Sequence, residues 1–541
     1  PFTISKDNFM NGDISCGYSV TDKADGQRVL LFSNRTGDCG YISRGNSFQQ
    51  FCYVGKIGLM SNSIVDCEYV NSTFYTFDVL VYNGKDVRSE NLIERLSYLP
   101  QKPSRVSSIK TPSSSKLKVK TFYFKNIFEN AHEIWSDKKN LPYELDGLIF
   151  TPIYKQYFNT NIYKWKPDDT IDFYIEKTKG SAHDTWKLHI ASFDQNGQYK
   201  HVSFKGIDDS GFFYHKHQSR VPIPEKLNVP LKYDTIKVAK TTSSKFPNKS
   251  IVEMKLSGDT WKPLRHREDK EFANGINAVN DAWEAISNPL LITNIKKGVE
   301  AFCGRIFHNS VKDRLIKQYM KNKFVLDIGS GAGGDIKKYE KHNTTQVVGI
   351  NIVDVKYPHN KNKMRFYKVN TELYRIKNVI SKNKVKEFDV ISCQFALHYF
   401  FKNAETLDNF ISNITENLKK NGIFVATYLD SSSVLKLLNG SSKYESSVVK
   451  IKKGKTNTEL TGNEVEVDLK GTKYFQSGSS KEYLIDTKQF IDYMKNQSFD
   501  LIEHYSFKDI FELLPGSEIM TKYDKDYSFA NHVIVFKYSK Q

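Results

Sequence analysis

Short apolar runs broken by turn residues dominate the first 170 positions. Val, Ile, Leu, Phe and Tyr gather at residues 28–33, 64–69 and 74–82, and each run predicts a strand. Runs at 171–176, 186–192 and 251–255 extend the pattern and predict a small β-barrel. Residues 268–294 turn helical and polar, which predicts a connector. From residue 311 the pattern alternates. A helix (311–319) leads to a strand (324–328), a glycine turn, a helix (335–341) and a strand (346–350). A strand (388–392), a helix (404–417) and a strand (422–427) follow, so this region predicts a doubly wound α/β domain. Two polar stretches, 103–120 with two prolines and 440–463, predict surface insertions. No internal repeat interrupts this order.

Composition narrows the picture only a little. A chain of 541 residues exceeds one ordinary core, and 39% hydrophobic with 13% aromatic residues supplies two or three cores rather than a disordered chain. The net charge of +18 favours a polyanionic partner, and an AT-rich coding sequence would enrich Lys equally well. The six cysteines, at 16, 39, 52, 67, 303 and 393, show neither CxxC nor zinc-ligand spacing and read as reduced thiols of an intracellular protein. No run nears the ~20 apolar residues of a membrane helix. The chain opens at Pro1 without a methionine and reads as a fragment, leaving an upstream segment open.

Candidate chemistry begins at Lys23-Ala24-Asp25-Gly26, with Arg28 beyond it. Alone, Asp-Gly after a strand is an ordinary hairpin turn. Partners follow in a fixed order: Arg44, Asp66-Cys67-Glu68, Phe77-Asp78, Glu144-Leu145-Asp146-Gly147, Lys164-Trp165-Lys166, and Arg265-His266-Arg267-Glu268-Asp269-Lys270. A lysine attacks phosphorus only as the neutral amine, so such a site needs neighbouring cations, and Arg28, Lys164 and Lys166 fit that need. Glu68 and Asp146 are carboxylates for a metal or a ribose, and Phe77 is a platform for a base, although an aromatic on a buried strand is more often core.

In these motifs the chain resembles the covalent nucleotidyltransferases, and the closing Arg-x-Arg-x-Asp-Lys block resembles the mRNA capping enzymes of large cytoplasmic DNA viruses. The resemblance implies a nucleotidyltransferase domain over 1–169, an OB-fold barrel over 170–267 and a connector over 268–300. It implies that Lys23 forms a lysyl-GMP phosphoamide from GTP. Arg28, Arg44, Glu68, Phe77, Lys164 and Lys166 would bind the GTP, with Mg2+ or Mn2+ near Glu68 and Asp146. Arg265, Asp269 and Lys270 would close over the nucleotide.

The second constellation is Asp327-Ile328-Gly329-Ser330-Gly331-Ala332-Gly333-Gly334-Asp335 between a strand and a helix. That turn lets a ligand approach the backbone, and dinucleotide-binding folds use one like it. Two flanking stretches decide between the readings: Phe307-His308-Asn309 with Lys312, and Gln394-Phe395-Ala396-Leu397-His398-Tyr399. With Ser480-Lys481-Glu482-Tyr483, they resemble the cap guanine-N7 methyltransferases, a Rossmann-like fold dependent on S-adenosylmethionine, here over 301–541. The resemblance implies that Lys312, Asp327, Gly329, Gly331, Asn351, Asn370 and Gln394 bind S-adenosylmethionine, and that His398, Tyr399 and Glu482 line the guanine pocket. Departures stand out. Asn351 and Asn370 replace the family's acids, so charge-assisted pairing with the ribose is lost. Asp354 is a candidate substitute, Ala332 stands where the family usually has a lysine, and no tyrosine is matched near Asn531-His532-Val533.

The expected activity is therefore GMP transfer to a 5′-diphosphate RNA end, then N7 methylation of that guanine. The 5′ end of nascent mRNA is the expected partner, a separate RNA triphosphatase or stimulatory subunit would fit beside it, and the expected location is the host cytoplasm or the virion. Two alternatives stay open: a ligase-like enzyme using ATP at Lys23, and a guanylyltransferase fused to a decayed, RNA-binding methyltransferase domain.

Overall fold

The computed structural model describes residues 1–43, 51–99, 117–158, 161–177, 186–193, 199–204, 212–214, 220–222, 246–257, 260–352, 364–372, 374–376, 387–471 and 479–539. The chain divides into two compact units, Pro1–Ile14 with Tyr18–Gly298, and Ser15–Gly17 with Val299–Gln541.

In the first unit, one sheet runs in the order Phe2–Thr3, Tyr163–Trp165, Leu145–Pro152, Tyr18–Ala24. A larger sheet runs Phe51–Gly55, Cys39–Ser43, Gln27–Ser33, Ile64–Val70, Thr73–Tyr82, Lys85–Asp86, and Leu117–Val119 pairs parallel with Thr73–Tyr82. Its inward residues Val29, Leu31, Val65, Cys67, Phe74 and Val79 form one core. Alternation explains the pairs Val29/Leu31 and Val65/Cys67, since successive side chains leave a strand on opposite faces, and a register shift between Phe74 and Val79 returns those two to one face. Asp25-Gly26 is not a hairpin turn: Tyr18–Ala24 pairs with Leu145–Pro152, whereas Gln27–Ser33 pairs in the other sheet. Gly26 is where the chain crosses between them, and a Cβ there would lie 2.3 Å from Val70.

A third sheet, antiparallel, runs Tyr199–Ser203, Trp186–Phe193, Ile171–Lys177, Ser250–Ser257, Thr260–His266. Its core includes Phe173, Leu188, Met254 and Trp261. The helix Ile276–Ser287 adds Val279, Ala282 and Trp283 to that core, so the polar stretch expected as a connector is part of a packed face. Likewise, the tail of the expected 103–120 loop is a strand, and Lys120 is buried; residues 101–116 lie outside the described ones.

The second unit is built on a seven-stranded sheet ordered Met364–Lys368, Gln346–Asn351, Phe324–Ile328, Phe388–Gln394, Leu418–Leu429, Asn531–Tyr538, Phe499–Ser506. The first five run parallel and Asn531–Tyr538 runs antiparallel to both neighbours. Alternate residues of Phe324–Ile328 enter two cores: Val325 packs with Val311 and Leu315, and Leu326 and Ile328 pack with Phe401 and Phe410. Strand order reverses at Phe324–Ile328, and the crevice at such a switch point is where α/β sheets bind ligands. The stretch 440–463, expected as a surface insertion, supplies Lys443–Glu445 and Val449–Lys453 to a four-stranded antiparallel sheet with Glu464–Leu469 and Ser480–Tyr483. Cys16 and Cys303 form a disulfide within this unit, correcting the expectation of six reduced thiols; Cys39, Cys52, Cys67 and Cys393 are free. Among the described residues no helix is long and apolar enough to cross a membrane.

Phe410 is fully buried and stacks on Phe400 at 4.0 Å between ring centroids. Phe410→Ala should destabilise the second unit by about 3–5 kcal/mol. Amide hydrogen exchange along Phe388–Gln394 and Leu418–Leu429 reads this, and unchanged protection would mean Phe410 does not anchor the core.

Candidate active sites

Lys23 sits at the end of Tyr18–Ala24, in register with Gly147. The register slips between Leu145 and Gly147, so Asp146 is the extra residue of a bulge. A bulge re-aims a side chain, and here the Asp146 carboxylate contacts the Lys23 ammonium directly and Lys166 at 2.9 Å. Gly147 is required by close approach, since a Cβ would lie 2.0 Å from the Trp165 carbonyl oxygen. Burial works against the Asp146 charge, but Lys23 and Lys166 outweigh it and hold the carboxyl below its usual range. Lys164 is pushed down by burial and then by Lys166. Asp169, which the motifs did not single out, is pushed up to about 6 by burial against the pull of Lys164 and Lys166.

Arg28 lies opposite Glu68 in the larger sheet. Its Nε and Nη2 donate to the fully buried Asp66 at 3.0 and 2.6 Å, and its guanidinium carbon stands 5.7 Å from the centre of the Phe77 ring. Burial raises the Glu68 carboxyl, with Lys120 and Lys23 opposing. Lys120 is itself buried and donates to the Asp22 carbonyl at 3.0 Å, while the Tyr143 hydroxyl donates to the Asp22 carboxylate at 2.7 Å. Neither Lys120 nor Tyr143 stood out in the sequence, because Lys120 ends a Ser/Lys-rich run that reads as loop.

The structure thus gathers Lys23, Asp146 and Lys166 in one ion cluster, and Arg28 beside Phe77. Arg265 pairs with Glu253 at 2.5 Å, Asp269 with Arg267 at 2.8 Å, and Lys270 with Asp172, forming a second cluster on the five-stranded sheet. Arg44 lies outside the described residues. Among the described residues no three of His, Cys, Asp or Glu gather to hold a metal ion. The Lys23 charge acts on both the Glu68 and the Asp146 carboxyl, and carboxylate oxygens are the kind of donor that Mg2+ or Mn2+ takes.

In the second unit, Gly329, Gly331 and Gly333 all have positive φ after Phe324–Ile328. Gly329 is fixed by packing, as a Cβ would lie 2.4 Å from the Ala396 Cβ, whereas a Cβ on Gly331 would meet open space. Lys312 and Lys338 share the Asp335 carboxylate at 2.7 and 2.5 Å. These two cations overcome the burial of Asp335 and keep it below its usual range. Asp327 is pushed up to about 7 by burial and by Asp335, against a hydrogen bond from Tyr339. Asn351 ends its strand, and Asn370 Oδ1 accepts from the Glu372 N–H at 3.0 Å. Asp354 lies outside the described residues.

Gln394 ends Phe388–Gln394, and its Nε2 donates to Ser392 at 3.2 Å while its Oε1 is buried without a partner. Phe395 then adopts φ 54° and its N–H donates to Thr427. His398 Nε2 is also buried without a hydrogen-bond partner, 3.9 Å from Glu482 Oε1. Tyr399 lies against His398, ring centroids 4.2 Å apart, with its hydroxyl 3.3 Å from Ser480. Burial pushes His398 down to about 3 and Glu482 up to about 8. At neutral pH both are therefore mainly uncharged. Buried polar atoms without partners are costly, and here Gln394 and His398 present them at the end of the strand beside Phe324–Ile328 and in the turn after it.

A carboxyl at about 8 in the folded state, against an ordinary 4.5, holds a proton that the unfolded chain has released. Stability supplied by that proton is full below about 4.5 and is lost as pH rises through 8. Glu482→Gln should thus raise the unfolding midpoint of the second unit at pH 8 and change it little at pH 4.5. Thermal melts of both proteins across that window check this, and a gain independent of pH would refute it.

Three family models match in succession. The model described as "mRNA capping enzyme, catalytic domain" matches residues 1–168, "mRNA capping enzyme, C-terminal domain" matches 168–295, and "mRNA (guanine-N(7))-methyltransferase domain" matches 296–525. A probable mRNA-capping enzyme of Acanthamoeba polyphaga mimivirus is 24% identical over 679 positions, covering 91% of this chain and 56% of the relative. An mRNA-capping enzyme of African swine fever virus (strain Badajoz 1971 Vero-adapted) is 24% identical over 591 positions, covering 94% and 66%. An mRNA cap guanine-N(7) methyltransferase of Caenorhabditis briggsae is 29% identical over 243 positions, covering 40% and 61%. The chain thus spans 56% to 66% of the length of these viral relatives. A solved S-adenosylmethionine-dependent methyltransferase from Clostridium acetobutylicum aligns with 49% of this chain and 99% of its own at 11% identity and a TM-score of 0.28.

Proposed function

We propose, for a chain that belongs to the bifunctional viral-type mRNA capping enzymes, that it transfers GMP from GTP to a 5′-diphosphate RNA end and then methylates the cap guanine at N7. The single observation that carries this is the Lys23–Asp146–Lys166 cluster at the bulge, a nucleophile, its counter-charge and a second cation brought together by neighbouring strands of one sheet.

In the first step the Lys23 amine bonds to the α-phosphorus of GTP, the bond to the bridging oxygen breaks, and pyrophosphate leaves. The Lys23 proton passes to solvent, and Asp146, in contact with the side chain, orients it. Lys164 and Lys166 neutralise phosphate charge, the main task in phosphoryl transfer, and Arg28 and Phe77 flank the base and ribose. When bound, Mg2+ or Mn2+ would add charge neutralisation, held by Glu68 and Asp146. In the second step the P–N bond is exchanged for a bond to the RNA β-phosphate oxygen, and Lys23 regains its proton. Arg265, Asp269 and Lys270 act from the five-stranded sheet, which we read as the described part of an OB-fold barrel.

Methylation needs no base, because guanine N7 already carries a lone pair; alignment and electrostatics suffice. Lys312 turns from Asp335 to the carboxylate of S-adenosylmethionine, and Lys338 keeps Asp335 paired while it does. Asp327, Gly329, Gly331, Asn351, Asn370 and Gln394 complete that pocket, and His398, Tyr399 and Glu482 hold the guanine. The RNA 5′ end is the macromolecular partner, with a separate triphosphatase or stimulatory subunit left to other chains or segments. The viral relatives favour action in the host cytoplasm or the virion.

Incubation with α-labelled GTP and a divalent cation, followed by denaturation, should leave one acid-labile labelled band, absent for Lys23→Ala. Labelling by ATP instead would make the first unit ligase-like. No labelled band from either nucleotide would refute the catalytic reading of this unit.

A further inference from the structure

Arg28 is one of the expected nucleotide-binding arginines, and one of the two side chains that hold it lies outside every motif of the sequence. The Tyr157 hydroxyl donates to Asp66 Oδ2 at 2.5 Å and accepts from Arg28 Nη2 at 3.2 Å. Arg28 also reaches Asp66 through Nε and Nη2, so the three side chains close a triangle. Asp66 is wholly buried, whereas about half of the Arg28 side chain is open to solvent. The triangle therefore fixes one edge of the guanidinium and leaves the rest facing outward beside the Phe77 ring.

Tyr157 is in turn held from beneath. Arg95 is fully buried and grips Asp78, the neighbour of Phe77, with Nε at 2.7 Å and Nη2 at 2.8 Å. Its Nη1 donates to the Lys155 carbonyl at 3.1 Å and to the Glu90 carbonyl at 2.6 Å, and its guanidinium carbon lies 5.8 Å from the Tyr157 ring centre. The Tyr157 N–H is bonded to the Arg88 carbonyl at 2.9 Å. One buried arginine thus ties the loop after Leu145–Pro152 to the strand carrying Phe77, and delivers the Tyr157 hydroxyl to the second, half-open arginine.

We infer that Tyr157 is a positioning residue for nucleotide binding, orienting the Arg28 guanidinium through Asp66 so that it meets the GTP without first being ordered. The inference rests on the guanylyltransferase reading given above. A hydroxyl shared by a carboxylate and a guanidinium is a charge-assisted contact, stronger than a neutral one. Its loss frees Arg28 to turn, and binding must then order it.

GTP binding by the whole protein tests this, measured for the unmodified chain, Tyr157→Phe, Arg28→Ala and the double variant. Tyr157→Phe should weaken GTP binding about tenfold, as expected for a hydrogen bond to a charged group. The rate of Lys23 labelling at saturating GTP should change less than twofold, splitting KM from kcat. In the Arg28→Ala background the second substitution should add nothing, because the group it positions is gone. Undiminished binding by Tyr157→Phe would overturn the inference, as would an equal loss in both backgrounds, which marks general damage to the fold. If the unmodified chain bound no GTP, the guanylyltransferase reading would fall and this inference with it; binding and labelling by that chain with an unaffected Tyr157→Phe would sink this inference alone.

Discussion

One carboxylate shared between two ammonium groups underlies each candidate site. In the first unit Asp146 lies between Lys23 and Lys166, and in the second Asp335 lies between Lys312 and Lys338. A half-buried or buried carboxylate is costly without a counter-charge, so two cations make its ionised form secure. The arrangement also leaves a surplus: when one lysine turns to a ligand, the carboxylate still has the other. Positive charge can thus be kept ready for phosphate or carboxylate groups without an unpaired acid being left behind.

The His398–Tyr399–Glu482 cluster follows the opposite rule. Glu482 and His398 are buried with no full counter-charge, and burial drives each toward its neutral form. Gln394 and His398 each keep a buried polar atom without a partner. Such a lining suits a flat neutral base with donors and acceptors on its edges better than a phosphate. The Asp146 and Asp335 clusters are thus dense in paired charge, whereas the surroundings of His398 and Glu482 are nearly free of it.

Much of this is legible in the sequence. Lys23, Asp146, Lys164 and Lys166 stand out because phosphoryl transfer needs lysines and carboxylates at recurring spacings. Gly329 and Gly331 stand out because a strand-to-helix turn against a ligand needs glycine. The apolar alternation marked the strands, since a period of two follows from backbone geometry. Less visible were the groups whose roles are set by distant chain segments. Tyr157 reads as one tyrosine among 31, Lys120 as the end of a basic loop, and 440–463 as an insertion, although its strands join the sheet that carries Glu482. Taken alone, Asp25-Gly26 reads as a hairpin turn; it joins two sheets, because strand pairing depends on partners far along the chain.

The sequence by itself determined the order of elements, the residue types each site can use and the families they resemble, because periodicity and motif spacing are local properties of the chain. Only the tertiary structure decided which charges meet. It engaged Arg265, Asp269 and Lys270 in ion pairs on their own sheet, closed Arg28 onto Asp66 and Tyr157, paired Cys16 with Cys303, and turned Asn370 toward the Glu372 N–H. Electrostatic and hydrogen-bond partners are fixed over a few ångströms of space, and the disulfide-bonded Cys16 and Cys303 are 287 positions apart in sequence.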